Sequence, residues 1–329
     1  MRAFVTGSTG LLGNSIVAEL LARGLEVGAL ARKPEAAQLV PARAHLVVGD
    51  LRDVGGFEKS LEGSDVLVHA AACYGEFYRA KAQSPDEINV RGTNDLLEAA
   101  VRRGVRNIIY ISSAGVLETA KKEVVDETCP YSSSPGDPYF ASKVSSEKAV
   151  LRFAQGHPEV RVVLLLPSVM LGPGDAGPTP TGAFVQKILR GELAFILPGY
   201  HRIVDARDVA RAVAEAITKG ESGERYLLGG PRYPVVEIFR AVSAASARPM
   251  PSKTISPGKL LFASRLMHLA SKVTGREPPI RPNIVRHLQE TFVYSSQKAE
   301  RDLGLGFRPL SETVTDTVRW FDARGRAIP

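Results

Sequence analysis

Tyr139 and Lys143 stand four residues apart in the segment YFASK, one turn of a helix, so a phenol and an ammonium share a face. A free phenol ionises near pH ~10, too high for ready proton exchange at neutral pH, and nearby positive charge lowers that value. Tyr139 is therefore expected to exchange a proton, with Lys143 as its activator and as a hydrogen-bond donor to ribose hydroxyls. A tyrosine and lysine at this spacing recur by chance. The pair gains meaning from Ser113, which follows the β-like run NIIYIS (107–112) and would orient a reacting carbonyl by hydrogen bonding.

A second constellation opens the chain. VTGSTGLLG places Gly7, Gly10 and Gly13 between a short β-run and a helical pattern. Glycine allows a tight turn and close approach of the backbone to a pyrophosphate, while the helix N-terminus offers free N–H groups and positive dipole. The spacing is one residue longer than the commonest dinucleotide fingerprint. At the end of the next β-run an acidic residue would hold the ribose 2′-hydroxyl of NAD. Here Ala31 takes that position and Arg32 and Lys33 follow. A guanidinium binds a 2′-phosphate that a carboxylate would repel, so NADP(H) is expected over NAD(H). Asp50, in VVGDL, is placed to accept from an adenine amino group or to cap a turn, and small residues in VHAAA (68–72) let a flat cofactor pass. His69 reads as structural.

The elements needed to position these groups alternate regularly. Runs at 3–6, 26–30, 45–48, 65–70, 107–112 and 160–166 read as strands, separated by helical patterns such as LLGNSIVAELLARG. Parallel strands need crossover helices, so the fold class is α/β: a Rossmann-like doubly wound parallel sheet with a smaller, mostly helical C-terminal region for substrate. Residues 1–170, with a return segment near 201–228, are assigned to NADP binding, and 171–200 and 229–329 to the substrate region. The Gly- and Pro-rich 171–182 stretch reads as a long loop, followed by helices near 183–190 and 205–219, a strand in RYLLGG, and a helix opened by Pro234.

Composition narrows the classes. The chain has 329 residues, 44% of them hydrophobic, enough for a sizeable core. Its two cysteines match no metal-ligand spacing and suggest a reducing compartment. No signal peptide is read at the N-terminus, and a cytoplasmic location is expected. The apolar stretch at 259–273 carries Arg265, His268 and Lys272, too interrupted for a membrane span, and reads as a core or lid helix rather than an interfacial anchor. The net charge is +7, but the 42 basic residues read as spread along the chain without interleaved aromatics, so no nucleic-acid partner is expected.

The segments TGSTGLLG, GDL, HAAA, NVRGTNDLLEAA, SSAG, YFASK and LPSVMLGPGD together resemble the extended short-chain dehydrogenases/reductases of the NAD-dependent epimerase/dehydratase superfamily. LARKPE, GPTPTG, VDARDVARA and GERYLLGG are similar to dihydroflavonol-4-reductase-like proteins, including the group labelled hopanoid-associated sugar epimerases. The resemblance implies catalytic roles for Ser113, Tyr139 and Lys143. It implies cofactor contacts at Gly7, Thr9, Gly10, Leu11, Leu12, Gly13, Arg32, Lys33, Asp50, Leu51, Ala70, Ala71, Ala72, Asn89, Pro167, Ser168 and Val169, and a homodimer. Cys73, Tyr74, Phe77, Tyr78, Ser113 and Met170 are candidate substrate contacts, mainly apolar or aromatic, and no metal is expected. Where nucleotide-sugar epimerases often carry Arg and His in one motif, this chain has His201 and Asp205. The expectation is an NADPH-dependent carbonyl reductase. The alternatives are a nucleotide-sugar epimerase or dehydratase and a non-enzymatic cofactor sensor.

Overall fold

A central sheet of seven parallel strands organises the chain in a computed structural model that describes residues 1–74, 85–133, 137–274, 280 and 282–325. The strands are β1 (Arg2–Thr6), β2 (Glu26–Ala31), β3 (His45–Val48), β4 (Val66–His69), β5 (Asn107–Ile111), β7 (Arg161–Pro167) and β10 (Arg225–Leu228). Their order is β3-β2-β1-β4-β5-β7-β10, a Rossmann-like doubly wound α/β arrangement. The order reverses between β1 and β4, which opens a crevice at their carboxyl ends where ligands of such sheets bind.

Both faces of the sheet are covered, which explains its nearly unbroken apolar strands. Along β7, Val163 and Leu165 enter one core layer with Ile16 and Leu20 of α1 (Leu11–Ala22) and Val213 of α5 (Ala206–Lys219). Val162, Leu164 and Leu166 enter the other with Leu96 of α2 (Thr93–Arg102) and Val150 of α3 (Pro138–Gly156). Each such side chain contributes on the order of 1.5–3 kcal/mol of apolar burial.

The C-terminal region has its own core. Leu171 of β8 (Val169–Leu171), Val185 of α4 (Pro180–Leu189), Ile203 of β9 (Tyr200–Asp205), Phe239 of α6 (Val235–Ser246) and Val318 of α10 (Leu310–Gly325) meet there. β8 and β9 pair parallel, and β9 pairs antiparallel with β11 (Arg232–Pro234). A further short pair joins β6 (Val124–Val125) to β12 (Val293–Tyr294). Apart from the six-residue β9, these strands are too short to show a period in the sequence. The loop expected to run to 182 ends earlier, because Thr179 caps α4 by accepting from the Gly182 N–H and Pro180 starts the first turn. The 259–273 stretch lies in α7 (Pro257–Thr274), but Phe262, Leu266 and Leu269 point to solvent. That overturns its reading as a core helix.

A buried polar chain fixes the crevice. The Ala71 N–H donates to Thr6 Oγ1 at 3.2 Å, and Thr6 lies 2.7 Å from His69 Nδ1. His69 Nε2 lies 2.9 Å from Thr93 Oγ1, which donates to the Asn89 carbonyl at 2.7 Å. Each hydroxyl has one proton, so the chain is consistent only if Nε2 carries the imidazole hydrogen. Burial, with the charge of Lys143, pulls the His69 pKa down to about 3; the ring is neutral and structural.

In the unfolded chain His69 titrates near its ordinary 6.5. Between that value and about 3 the unfolded state binds a proton that the folded state does not, so stability falls as pH drops through this window. Urea unfolding of the wild type and of His69→Gln at several pH values should differ in slope by up to about 1.4 kcal/mol per pH unit, the wild type losing more.

Candidate active site

The first turn is built around glycines that no other residue could replace. Gly7 has φ +72°, and a Cβ there would lie 2.8 Å from Ala71 N. A Cβ on Gly13 would lie 2.0 Å from the Gly7 carbonyl oxygen. β1, the turn and the end of β4 are thereby pressed together. Gly10 is different: it is exposed, and an added Cβ would meet nothing nearer than 3.5 Å. It precedes α1, whose N-cap has no side-chain hydrogen bond and whose first turn has no acidic residue. Thr9, Leu11 and Leu12 complete a turn that leaves helix N–H groups open to a phosphate, which fits a dinucleotide.

The neighbouring strand ends supply the rest of the crevice. Ala31 ends β2, and Arg32 and Lys33 are exposed just beyond it. The Arg32 charge favours the ionised form of both the Asp50 carboxyl and the Cys73 thiol, although burial raises the thiol overall. Asp50 holds Arg52 in a two-pronged pair, with Nη2 at 2.6 Å and Nε at 3.0 Å, and Arg52 keeps its carboxyl below the usual range. Leu51 is buried under α2: a Cβ on Gly92 would lie 2.8 Å from its carbonyl. Ala70 and Ala71 are half-buried and Ala72 exposed.

Asn89 is buried in a π-helical turn (Glu87–Gly92) that leads into α2. Its Oδ1 accepts from the Cys73 N–H at 2.6 Å, and its Nδ2 donates to the Cys73 carbonyl at 3.2 Å and to Ser142 Oγ at 2.9 Å. Ser142 in turn donates to the Tyr139 carbonyl at 2.7 Å. The amide thus pins the segment after β4 to the helix that carries Tyr139. Pro167 ends β7. Ser168 directs its hydroxyl at the carbonyls of Arg202 and Gly229, and Val169 begins β8, so this crossing ties the two regions together. Met170 packs with Ala70 against the core layer of α1.

Ser113, Tyr139 and Lys143 come from β5's end and α3. Ser113 Oγ accepts the Gly115 N–H at 3.1 Å, which leaves its own proton available for donation. Lys143 is buried and donates to the Ile111 carbonyl at 2.7 Å and to Tyr110 Oη at 3.2 Å. Among the described residues its third ammonium hydrogen is unassigned, available to a ribose hydroxyl. Burial lowers the Lys143 pKa to about 8, with Glu147 opposing the shift. The Tyr139 hydroxyl makes no hydrogen bond among the described residues. Its ring meets Tyr74 edge to face at 4.5 Å and Phe140 at 5.2 Å.

The lowering of the Tyr139 pKa, expected from Lys143 together with an oxidised nicotinamide, is not produced by Lys143 alone. Burial, with the neighbouring Tyr74, Tyr110 and Asp137, pushes it well above the ordinary phenol value. Desolvation outweighs the lysine, whose ammonium is turned to Tyr110 and the Ile111 carbonyl. The phenol is fully protonated at neutral pH. Phe77 and Tyr78 lie outside the described residues.

Two further supports were invisible in the motifs. A Cβ on Gly115 would fall 2.2 Å from the Phe140 ring, so the Ser113 turn and α3 meet without a gap. Glu147, one turn beyond Lys143, is fully buried; it accepts from Ser112 Oγ, from Tyr131 Oη at 3.1 Å and from Arg225 Nη1 at 3.4 Å. Its signal was the continued four-residue spacing from Tyr139 through Lys143 to Glu147, legible only once α3 is seen to bury that face.

A doubly wound sheet with a glycine turn at its reversal point and Ser, Tyr and Lys beside it defines an extended short-chain dehydrogenase/reductase. The chain belongs to the NAD dependent epimerase/dehydratase family, whose model matches residues 3–229. It is 30% identical over 333 residues to a putative dihydroflavonol 4-reductase of Synechocystis sp., covering 98% of this chain and 95% of that protein. It is 32% identical over 348 residues to the 4-hydroxy-2-methyl-3-oxo-4-farnesyl-3,4-dihydroquinoline-1-oxide ketoreductase of Stigmatella aurantiaca, covering 100% and 99% of the two chains. The crystal structure of gox2253 superposes with a TM-score of 0.84 at 31% identity over 99% of each chain.

Glu147→Leu should destabilise the protein by about 1–3 kcal/mol, because it removes the acceptor of the buried Ser112 hydroxyl, of the half-buried Tyr131 hydroxyl and of one nitrogen of Arg225. Denaturant midpoints of the wild type and the variant, measured without cofactor, check this.

Proposed function

We propose that this protein is an NADPH-dependent reductase of a ketone or aldehyde carbonyl on a small, mainly apolar or aromatic substrate. The observation that carries the reading is the constellation at the end of β5: the buried Lys143 is anchored on the Ile111 carbonyl, two residues before Ser113 with its free proton, and Tyr139 lies one turn before Lys143 on the same helix, its phenol protonated. Reduction of a carbonyl requires a proton donor, which Tyr139 supplies together with a hydrogen bond from Ser113 to the same oxygen. The named activities of the Synechocystis and Stigmatella relatives agree with reduction.

A reduced nicotinamide, when bound, supplies the hydride. Gly7, Thr9, Gly10, Leu11, Leu12 and Gly13 would hold the pyrophosphate, Arg32 and Lys33 the 2′-phosphate, and Lys143 the nicotinamide ribose. Ser113 donates to the carbonyl oxygen and fixes its position. Tyr139 Oη gives its proton to that oxygen as negative charge develops there. The buried Lys143 ammonium then stabilises the phenolate left behind. Tyr74, 42% exposed and edge to face with Tyr139, offers an aromatic wall to the substrate.

Tyr139→Phe should lower kcat by about 10²–10⁴ while NADPH affinity, followed by fluorescence titration, stays near that of the wild type. Consumption of NADPH with a panel of aromatic ketones is the direct test; turnover of a nucleotide sugar without net NADPH consumption would replace the reductase with an epimerase. Arg32→Ala should weaken NADPH binding about tenfold or more and leave NADH binding nearly unchanged. Gly115→Val, by displacing Phe140, should reduce kcat/KM about a hundredfold, with circular dichroism confirming that the fold persists.

A further inference from the structure

A helix packed on a protein core turns its large apolar side chains inward, and α7 does the reverse. Leu260 and Ser264 are its buried residues, whereas Phe262, Leu266 and Leu269 are 65%, 52% and 62% exposed. At about 100° per residue these three fall within about 60° of one another, on the side opposite Leu260 and Ser264. Exposed Lys259 and Arg265 border the stripe on its two flanks. Beside α7, α8 (Pro282–Leu288) exposes Ile284 and Arg286. An open, apolar groove of about 220 Å³ runs between the two helices, lined by Pro257, Gly258, Leu261, Val285, Arg286 and Gln289.

The sequence around α7 is basic as well. Residues 238–276 contain seven Lys or Arg and no Asp or Glu, which equals the whole formal excess of +7. The remainder of the chain is balanced. Basic residues that read as spread along the sequence therefore leave one long acid-free segment, and that segment bears the exposed apolar stripe.

We propose that α7 seats the protein on the surface of an anionic phospholipid bilayer. Phe262, Leu266 and Leu269 enter the boundary between headgroups and acyl chains, and Lys259 and Arg265 meet the lipid phosphates. An exposed apolar patch rimmed by charge marks an interaction site, and the absence of carboxylates selects an anionic partner. A second copy of the chain fits poorly, because a two-fold contact through α7 would set two acid-free basic segments against each other. The helix lies on the bilayer and does not cross it: among the described residues no helix is long and apolar enough to span a membrane.

The test is cosedimentation of the full chain with vesicles of phosphatidylcholine alone or mixed with phosphatidylglycerol. Binding is expected only to the mixed vesicles and should weaken as salt is raised. Lys259→Glu/Arg265→Glu should lower the affinity at least about tenfold, each neutralised cation alone being worth about fivefold. Phe262→Ser/Leu266→Ser/Leu269→Ser should lower it similarly, with NADPH binding and circular dichroism unchanged in both. The charge-reversal pair is fully exposed and answers the question even if the triple variant misfolds. Binding to neither vesicle, equal binding to both, retained binding in the charge-reversal variant, or conversion of a dimer to a monomer by these substitutions in sedimentation velocity would overturn the proposal.

Discussion

The Lys143 ammonium sits where water is nearly absent, and much of the active-site architecture follows from the need to keep it charged there. A buried cation without partners loses its proton or unfolds the site. Here the Ile111 carbonyl, the Tyr110 hydroxyl and ring, and the Glu147 carboxylate one turn away offset the lost hydration. Each partner also does something else. Ile111 ends the strand that leads to Ser113, Tyr110 fills the second core layer, and Glu147 joins Ser112 to Arg225 of the outermost strand. Burial lowers the lysine and raises Tyr139, so desolvation acts in opposite directions on two groups one helical turn apart.

The crevice is equally dependent on close backbone contact. Gly7 and Gly13 let the first turn press against β4 and α1, and Thr6, His69 and Thr93 lock that contact from below with a single consistent proton pattern. Asn89 extends the lock sideways by holding Cys73 to α3 through Ser142. The crevice at the strand ends and the helix that carries Tyr139 and Lys143 are in this way one connected hydrogen-bonded unit. The C-terminal region is attached through Ser168 and through Arg202, whose guanidinium is buried against Phe292 and the carbonyls around it. His201, at the position of an epimerase arginine, is half-buried, and desolvation with the charges of His287 and Arg202 pulls its pKa down to about 4. A neutral imidazole there is a poor ligand for a nucleotide-sugar phosphate.

The sequence by itself determined the alternation of strands and helices, because a strand buried on both faces and a helix buried on one leave periodic traces. It also determined the glycine turn and the Tyr139–Lys143 spacing, which are local in the chain. The α/β sheet and the grouping of Ser113, Tyr139 and Lys143 at its carboxyl edge follow from that local pattern. Tertiary structure alone decided what burial does to these groups. Tyr139 is raised even with a lysine one turn away, since desolvation depends on everything packed around the ring. Asn89 turns to the Cys73 backbone and Gly115 receives the Phe140 ring through contacts between residues far apart in the chain. The orientation of α7 belongs with these: its sequence gives an apolar stripe, but only the position of the core shows that Phe262, Leu266 and Leu269 face away from it.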